Sequence, residues 1–386
     1  MPQHQDRRPL RVLYLNWRDT GHPEGGGSEV YAERVTDGLA RLGHDVTLLT
    51  ARYPGSTAQE VRPSGVRVVR RGGRLGIYPW AAWAVRTRRV PTPDVIIETQ
   101  NGVPYLAALW APRTPHVVLV HHVHREQWPV VFGPRLAKAG WWVESRLAPL
   151  VNRRRPYVTV SEVTRRELGD LGVQPERVQV VHCGAIPPVP HDVRRGEEPQ
   201  LIALGRLVPH KRVELALEAM ARLRREFPTA RLVVAGRGWW QDHIRATVDR
   251  LGLHDCVDVV GYVSEDERHR LLASSWVSLV PSIKEGWGLV VVEAGMHATP
   301  TVAFDGTGGI TESIVDGQTG YLAAADDLDD FVRLTRRLLL DRAERERLGK
   351  GAEAFAEGFT WDATVEKWDR AIADAVSRAR VAGALG

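Results

Sequence analysis

Apolar residues fall into short β-branched runs separated by amphipathic stretches, and this alternation covers most of the 386 residues. RVLYLNW, HDVTLLTA, VRVVR, DVIIET, HVVLVHH and YVTVS predict strands in the first half; QLIALGR, ARLVVAG, VDVVGY, VSLVPS and TVAFD do so in the second. The runs are continuous rather than alternating, as expected for parallel strands covered on both faces. Between them lie helical patterns. Val30, Tyr31, Val35, Leu39 and Leu42 sit at helix spacing in residues 28–42, and residues 213–227 behave in the same way. The series βαβα occurs twice, which predicts an α/β protein with two doubly wound domains.

The break between them is expected at PPVPHDVRRGEEP, residues 187–199, which is rich in proline and charge and lacks periodicity. The domains are then expected at 1–190 and 191–360. A last helical segment, 361–386, is long enough to cross back to the first domain.

The chain is 43% hydrophobic, ample for two packed cores. Net charge is +5, and only five of the 52 basic residues are lysine. The arginines are scattered, without the basic stripe and interleaved aromatics of a nucleic-acid face, so no nucleic-acid partner is expected. Anionic substrates and an anionic membrane surface stay open. The two cysteines, Cys183 and Cys256, exclude a disulfide scaffold and a thiolate zinc site. A reducing compartment fits them. The polar start MPQHQDRRPL does not read as a signal peptide, and no apolar run approaches the length of a membrane span. The expected location is the cytoplasm, with peripheral attachment to the inner face of the membrane left open.

Several stretches carry candidate chemistry. Gly25, Gly26 and Gly27 follow the first strand and precede a helix, where free N–H groups favour an anion. A dinucleotide site is disfavoured, because GGGSEV lacks the third glycine of the fingerprint and no acid ends the second strand. In LGRLVPHKR, Arg206 and Lys211 follow a strand and precede a helix, which points both into a ligand crevice, where they could neutralise a diphosphate. Gly236 and Gly238 form a matching turn after the next strand. VHHVHREQW offers His121, His122 and His124, but no third ligand set for a metal is evident. DLD at 327–329 opens a helix and suits its dipole, so it is not read as a metal site. In KEGWGLVVVEAG, Glu285 and Glu293 bracket a glycine-broken turn and a valine run.

Taken together, GGGSE, VTVSEVTRREL, VVHCGA, ALGRLVPHKR, VVAGRG, VGYVSEDE, PSIKEGWGLVVVEAGMHATPTVAF and GGITESIVDGQTGYL resemble glycosyltransferase family 4, retaining enzymes of the GT-B fold, over nearly the whole chain. Two glutamates with seven residues between them are that family's hallmark, and Glu285 and Glu293 fit it. The resemblance implies two Rossmann-like domains facing across a cleft, the first for the acceptor and the second for a nucleotide-sugar donor. It implies that Arg206 and Lys211 contact the donor diphosphate, Glu285 the donor sugar and Glu293 the ribose hydroxyls. Backbone groups of Gly288, Leu289 and Val290 would meet the phosphates, with Gly26, Gly27 and Gly236 as further donor contacts, and Val263 would lie near the base. His121 best matches the histidine near the transferred sugar, with His122 a close rival. No metal and no cofactor beyond the donor substrate are implied.

The implied reaction is metal-independent transfer of a sugar, of hexosyltransferase type, with retention of configuration. The acceptor would be a glycan, a lipid-linked or a small-molecule hydroxyl. The rival readings are a GT-B epimerase, a phosphorylase, for which no pyridoxal lysine motif is present, and a non-catalytic sugar-nucleotide binder. Residues 76–89 and 135–155 mix Trp with Arg. They read either as interfacial helices reaching a lipid-linked acceptor or as buried contacts through Trp80, Trp83, Trp141 and Trp142.

Overall fold

The structure is a computed structural model that describes residues 8–187, 193 and 195–384. The chain divides into two compact units, one formed by the chain up to His182 together with the segment from Trp361 onward, the other by Cys183–Thr360. Much of the expected linker, 188–192 and 194, lies outside the described residues.

The first unit holds an eight-stranded sheet of β1 (Arg11–Leu15), β2 (Asp45–Ala51), β3 (Gln59–Val61), β4 (Arg67–Arg71), β5 (Val95–Gln100), β6 (His116–Val120), β7 (Tyr157–Thr159) and β8 (Val178–Val180). Its order is β3-β4-β2-β1-β5-β6-β7-β8. All neighbours run parallel except β3, which pairs antiparallel with β4. The second unit holds β9 (Gln200–Leu204), β10 (Arg231–Ala235), β11 (Val257–Gly261), β12 (Val277–Val280), β13 (Thr301–Phe304) and β14 (Gly320–Ala323), ordered β11-β10-β9-β12-β13-β14 and wholly parallel. Both sheets are doubly wound, as the apolar runs predict. In each, the strand order reverses beside the first strand, between β1 and β5 and between β9 and β12. Ligand crevices of such sheets open at that point, beyond the carboxyl ends of the strands.

All eleven strands read from the sequence form. β3, β8 and β14 are additional. β3 is exposed at all three positions, so it carries no apolar run to betray it. The helix expected over 28–42 is Gly27–Arg41, and that over 213–227 ends at Leu223. The long final helix, Trp361–Ala384, packs within the first unit against the helix Gly27–Arg41 and β6. Trp368 anchors it, fully buried, with its indole N–H donating to Tyr31 Oη at 2.7 Å. His44 ties the same helix to the start of β2 through Asp369, at 2.9 Å.

Candidate active site

The second unit concentrates the predicted residues at its strand-order reversal. Arg206 lies half-buried in the loop after β9, and Lys211 ends the 3-10 turn Pro209–Lys211 that leads into the helix Val213–Leu223. Glu285 lies in the loop after β12. The two loops are stitched together, since Ile283 N–H donates to His210 O at 2.8 Å and Arg212 Nε donates to Pro281 O at 2.8 Å. The Glu285 peptide is pinned to a third loop, donating to Thr307 O and accepting from Gly309 N–H, both at 2.9 Å.

This framework brings Lys211 and Glu285 into an ion pair. Ser282 Oγ donates to the same Glu285 oxygen at 2.7 Å. Burial alone would raise the Glu285 pKa, but the Lys211 charge and hydrogen bond, helped by Ser282 and His210, outweigh it and hold the carboxyl below its usual range. Glu285 is therefore a fixed carboxylate with a cation beside it.

Gly288 caps the helix Leu289–Gly295 at φ 86°, a left-handed conformation that favours glycine. Val291 and Val292 N–H bond back to Gly288 O, and helix geometry leaves the preceding amides of Leu289 and Val290 without intrahelical acceptors. Glu293 sits in the second turn of this helix. It is buried and paired at 3.1 Å with Arg268 of the helix Glu265–Ser274. Val263 is half-buried just before that helix, next to an exposed Tyr262 whose ring lies 4.7 Å below the Arg237 guanidinium. Trp287 is buried against Phe359 at 5.0 Å.

Gly236 has a packing reason of its own. At φ 136°, a Cβ there would lie 1.8 Å from the Gly205 carbonyl oxygen. Of the neighbouring tryptophans, Trp240 packs on the core and Trp239 is exposed.

In the first unit, β6 ends at Val120, so all three histidines are loop residues and strand alternation does not assign their faces. His122 Nε2 meets Gln127 Oε1 at 3.1 Å. His124 meets Glu144 at 2.9 Å, and Glu144 also accepts from the Trp128 indole at 2.6 Å. These two histidines brace the loop. His121 differs: its ring is buried edge-on to Tyr31 at 5.2 Å, and its Nε2 has no hydrogen-bond partner among the described residues. That contrast favours His121 over His122 as the site histidine. Tyr31 is itself held, donating to Val181 O at 3.1 Å while accepting from Trp368.

Gly26 and Gly27 start the helix Gly27–Arg41, but the N–H of Gly26 already donates to Glu29 Oε2 at 2.7 Å. Glu29 is buried and paired with Arg18 at 3.2 Å. An internal carboxylate thus holds one of the amides that the glycine run offers to an anion.

Burial pushes His121 and His116 down to about 4, and pushes Glu98, within β5, up to about 7. Between about pH 4.5 and 5.5 the unfolded chain carries most of two protons on the histidines that the folded chain refuses. The folded chain keeps one on Glu98 that the unfolded chain lacks. The surplus of one proton in the unfolded state makes these groups destabilising as pH falls, by about 1.4 kcal/mol per pH unit. Urea unfolding at pH 5.5 and 4.5 should show this slope, and His121→Gln should abolish most of it. An unchanged slope in that variant would exclude a neutral buried His121.

The tryptophans of the two Trp–Arg segments divide. Trp80 and Trp141 are half-buried against core clusters, whereas Trp83 and Trp142 are 45% and 57% exposed. Among the described residues no helix is long and apolar enough to cross a membrane. Ser282 and Arg268 are not singled out from the sequence, and Tyr31 is read there only as an apolar position of a helix. Ser282 stands three residues before Glu285, the one local hint; the other two contacts are tertiary.

Comparison with known proteins covers both halves. The model for Glycosyltransferase Family 4 matches residues 25–187, and that for Glycosyl transferases group 1 matches 191–355. A D-inositol 3-phosphate glycosyltransferase of Streptosporangium roseum is 32% identical, covering 94% of this chain and 92% of its own. An MMP alpha-(1->4)-mannosyltransferase of Mycolicibacterium hassiacum is 28% identical, covering 94% and 99%. Among solved structures, sucrose-phosphate synthase from Thermosynechococcus elongatus shares the fold at TM-score 0.80 and 20% identity, covering 94% of this chain and 98% of that one. The Anabaena protein HepE, in complex with UDP-glucose, does so at TM-score 0.74 and 17% identity, covering 96% and 100%.

Proposed function

Because the chain belongs to glycosyltransferase family 4, with the GT-B fold, we propose that it moves a hexosyl unit from a nucleoside-diphosphate sugar to an acceptor hydroxyl, with retention of configuration and without a divalent metal. The observation that carries this reading is the Lys211–Glu285–Ser282 cluster at the strand-order reversal of the second unit.

Transfer breaks the bond between the anomeric carbon and the diphosphate oxygen. Negative charge grows on the leaving diphosphate and positive charge on the sugar ring, and a site must stabilise both. Arg206 and Lys211, with the amides of Gly288, Leu289 and Val290, answer the first. The fixed carboxylate of Glu285 answers the second and orients the sugar. Two side-chain cations at the leaving group take the part that a metal ion plays elsewhere, which motivates the metal-independent reading. Glu293, steadied by Arg268, offers acceptor oxygens to ribose hydroxyls, and Val263 lines the base. His121, neutral and with a buried Nε2 that has no partner among the described residues, is the side chain this reading assigns to a hydrogen bond with the transferred sugar. For Gly26, Gly27 and Gly236 the role is backbone: Gly27 remains a phosphate contact, whereas Gly26 and Gly236 also have the internal roles described above.

Thermal-shift screening with UDP, GDP, ADP and dTDP and their sugars identifies the donor, because a ligand bound only to the native state raises its apparent stability. The UDP-glucose bound to the Anabaena protein makes uracil the first base to test. With that donor, transfer should continue in EDTA and NMR should show the donor's anomeric configuration in the product. An inverted product removes the retaining mechanism, and conversion of the donor sugar without transfer would identify an epimerase.

A further inference from the structure

A cavity of about 740 Å³ opens in the first unit between the helix Gly27–Arg41, the loops after β1 and β2, and the β3–β4 hairpin. This volume lies within the roughly 300–1,000 Å³ of ligand pockets. Its wall is charged but balanced. Arg62 Nη2 pairs with Glu33 at 3.1 Å and Nη1 lies 3.6 Å from Asp37. Arg70 pairs with Glu60 at 2.8 Å, and behind the wall with the buried Asp19 at 2.5 Å. One polar group of the lining stays unsatisfied: the buried Arg62 Nη1 has no hydrogen-bond partner among the described residues. Tyr53 adds a half-buried aromatic ring to the lining.

These features select a ligand class. A phosphate needs cationic charge in excess, and here the guanidinium groups of Arg41, Arg62 and Arg70 are matched in number by the carboxylates of Glu33, Asp37 and Glu60. An apolar ligand would strand the charges. A neutral polyol suits both, because its hydroxyls donate to carboxylates and accept from guanidinium N–H groups. The Tyr53 ring offers an apolar surface to the C–H face of a pyranose.

The cavity also has a place along the sheet. Arg70 lies in β4 and Tyr53 just after β2, whereas His121 follows β6. β4 and β6 are four strand steps apart, about 19 Å at 4.8 Å per step. One sugar unit does not span that distance, but an oligosaccharide does. We propose that this cavity binds non-reacting, neutral sugar units of an oligosaccharide acceptor. The word acceptor rests on the transfer reading above; the sugar site does not.

The full chain should be applied to an array of neutral oligosaccharides beside phosphorylated and uronate-bearing counterparts. The best neutral binder is then titrated by calorimetry against wild type, Tyr53→Ala and Asp37→Asn, with urea midpoints confirming that both variants fold. Neutral oligosaccharides should be retained in preference to charged ones, and each variant should weaken binding by about tenfold or more. Retention of phosphorylated sugars instead, no retention of any neutral one, or unchanged affinity in both folded variants overturns the proposal. Donor hydrolysis is read separately. If it is absent while sugar binding persists, the transfer reading fails and the site stands; if it is present while no sugar is retained, the reverse holds.

Discussion

Lys211→Ala should lower kcat/KM for sugar transfer by about a thousandfold, near the upper end of what one charge-stabilising contact to a transition state contributes. Two losses combine. The ammonium no longer opposes the charge growing on the leaving diphosphate. Glu285 also loses the partner that keeps its carboxyl ionised in a partly buried position. Burial is then opposed only by Ser282 and His210, so the carboxyl pKa moves up and the acid limb of the rate profile should move up with it. A variant lacking only a phosphate contact would lose rate at every pH by one factor, without moving that limb. Steady-state kinetics from pH 5 to 9 separates the two effects, with the exposed Lys350→Ala as control. If kcat/KM for Lys211→Ala stays within about threefold of wild type, the cation does not serve the transition state.

How far the site could be read from the chain follows from which interactions are local. Strands buried on both faces leave continuous β-branched runs, so eleven of them were plain, whereas β3 is exposed throughout and left no such trace. Glu285, Glu293, Arg206 and Lys211 stand in motifs with fixed spacing, and the positions of Arg206, Lys211 and Glu285 beyond strand ends, with Glu293 on the helix that follows, accord with the doubly wound order. Their partners do not. Arg268 reaches Glu293 from another helix, and Trp368 reaches Tyr31 across 337 residues. Nothing local marks either residue. The histidine run shows the same limit, because its register depends on where β6 stops. Once the strand ends at Val120, the hydrogen bonds of His122 and His124 distinguish them from His121.

Gly236 shows how a motif glycine can serve packing as well as a ligand, and Gly236→Ala should separate the two roles. The added Cβ would lie 1.8 Å from the Gly205 carbonyl oxygen, a backbone atom that no rotamer change can move aside. The φ of 136° adds strain for any L side chain. Relief requires the loops after β9 and β10 to part, at the expense of the bonds from Gly205 N–H to Ala235 O and from Leu207 N–H to Arg237 O, both 3.0 Å. A destabilisation of about 3 kcal/mol is expected, the upper range for forcing atoms into a packed site. Native-state hydrogen exchange should show it as a loss of protection of about a hundredfold in β9 and β10. The same displacement shifts Arg206 and the turn carrying Lys211, so donor binding should weaken together with protection. If Gly236 served the donor alone, affinity would fall while β9 and β10 stayed protected. That outcome would overturn the packing role, because the Gly205 contact exists whether or not a donor is bound.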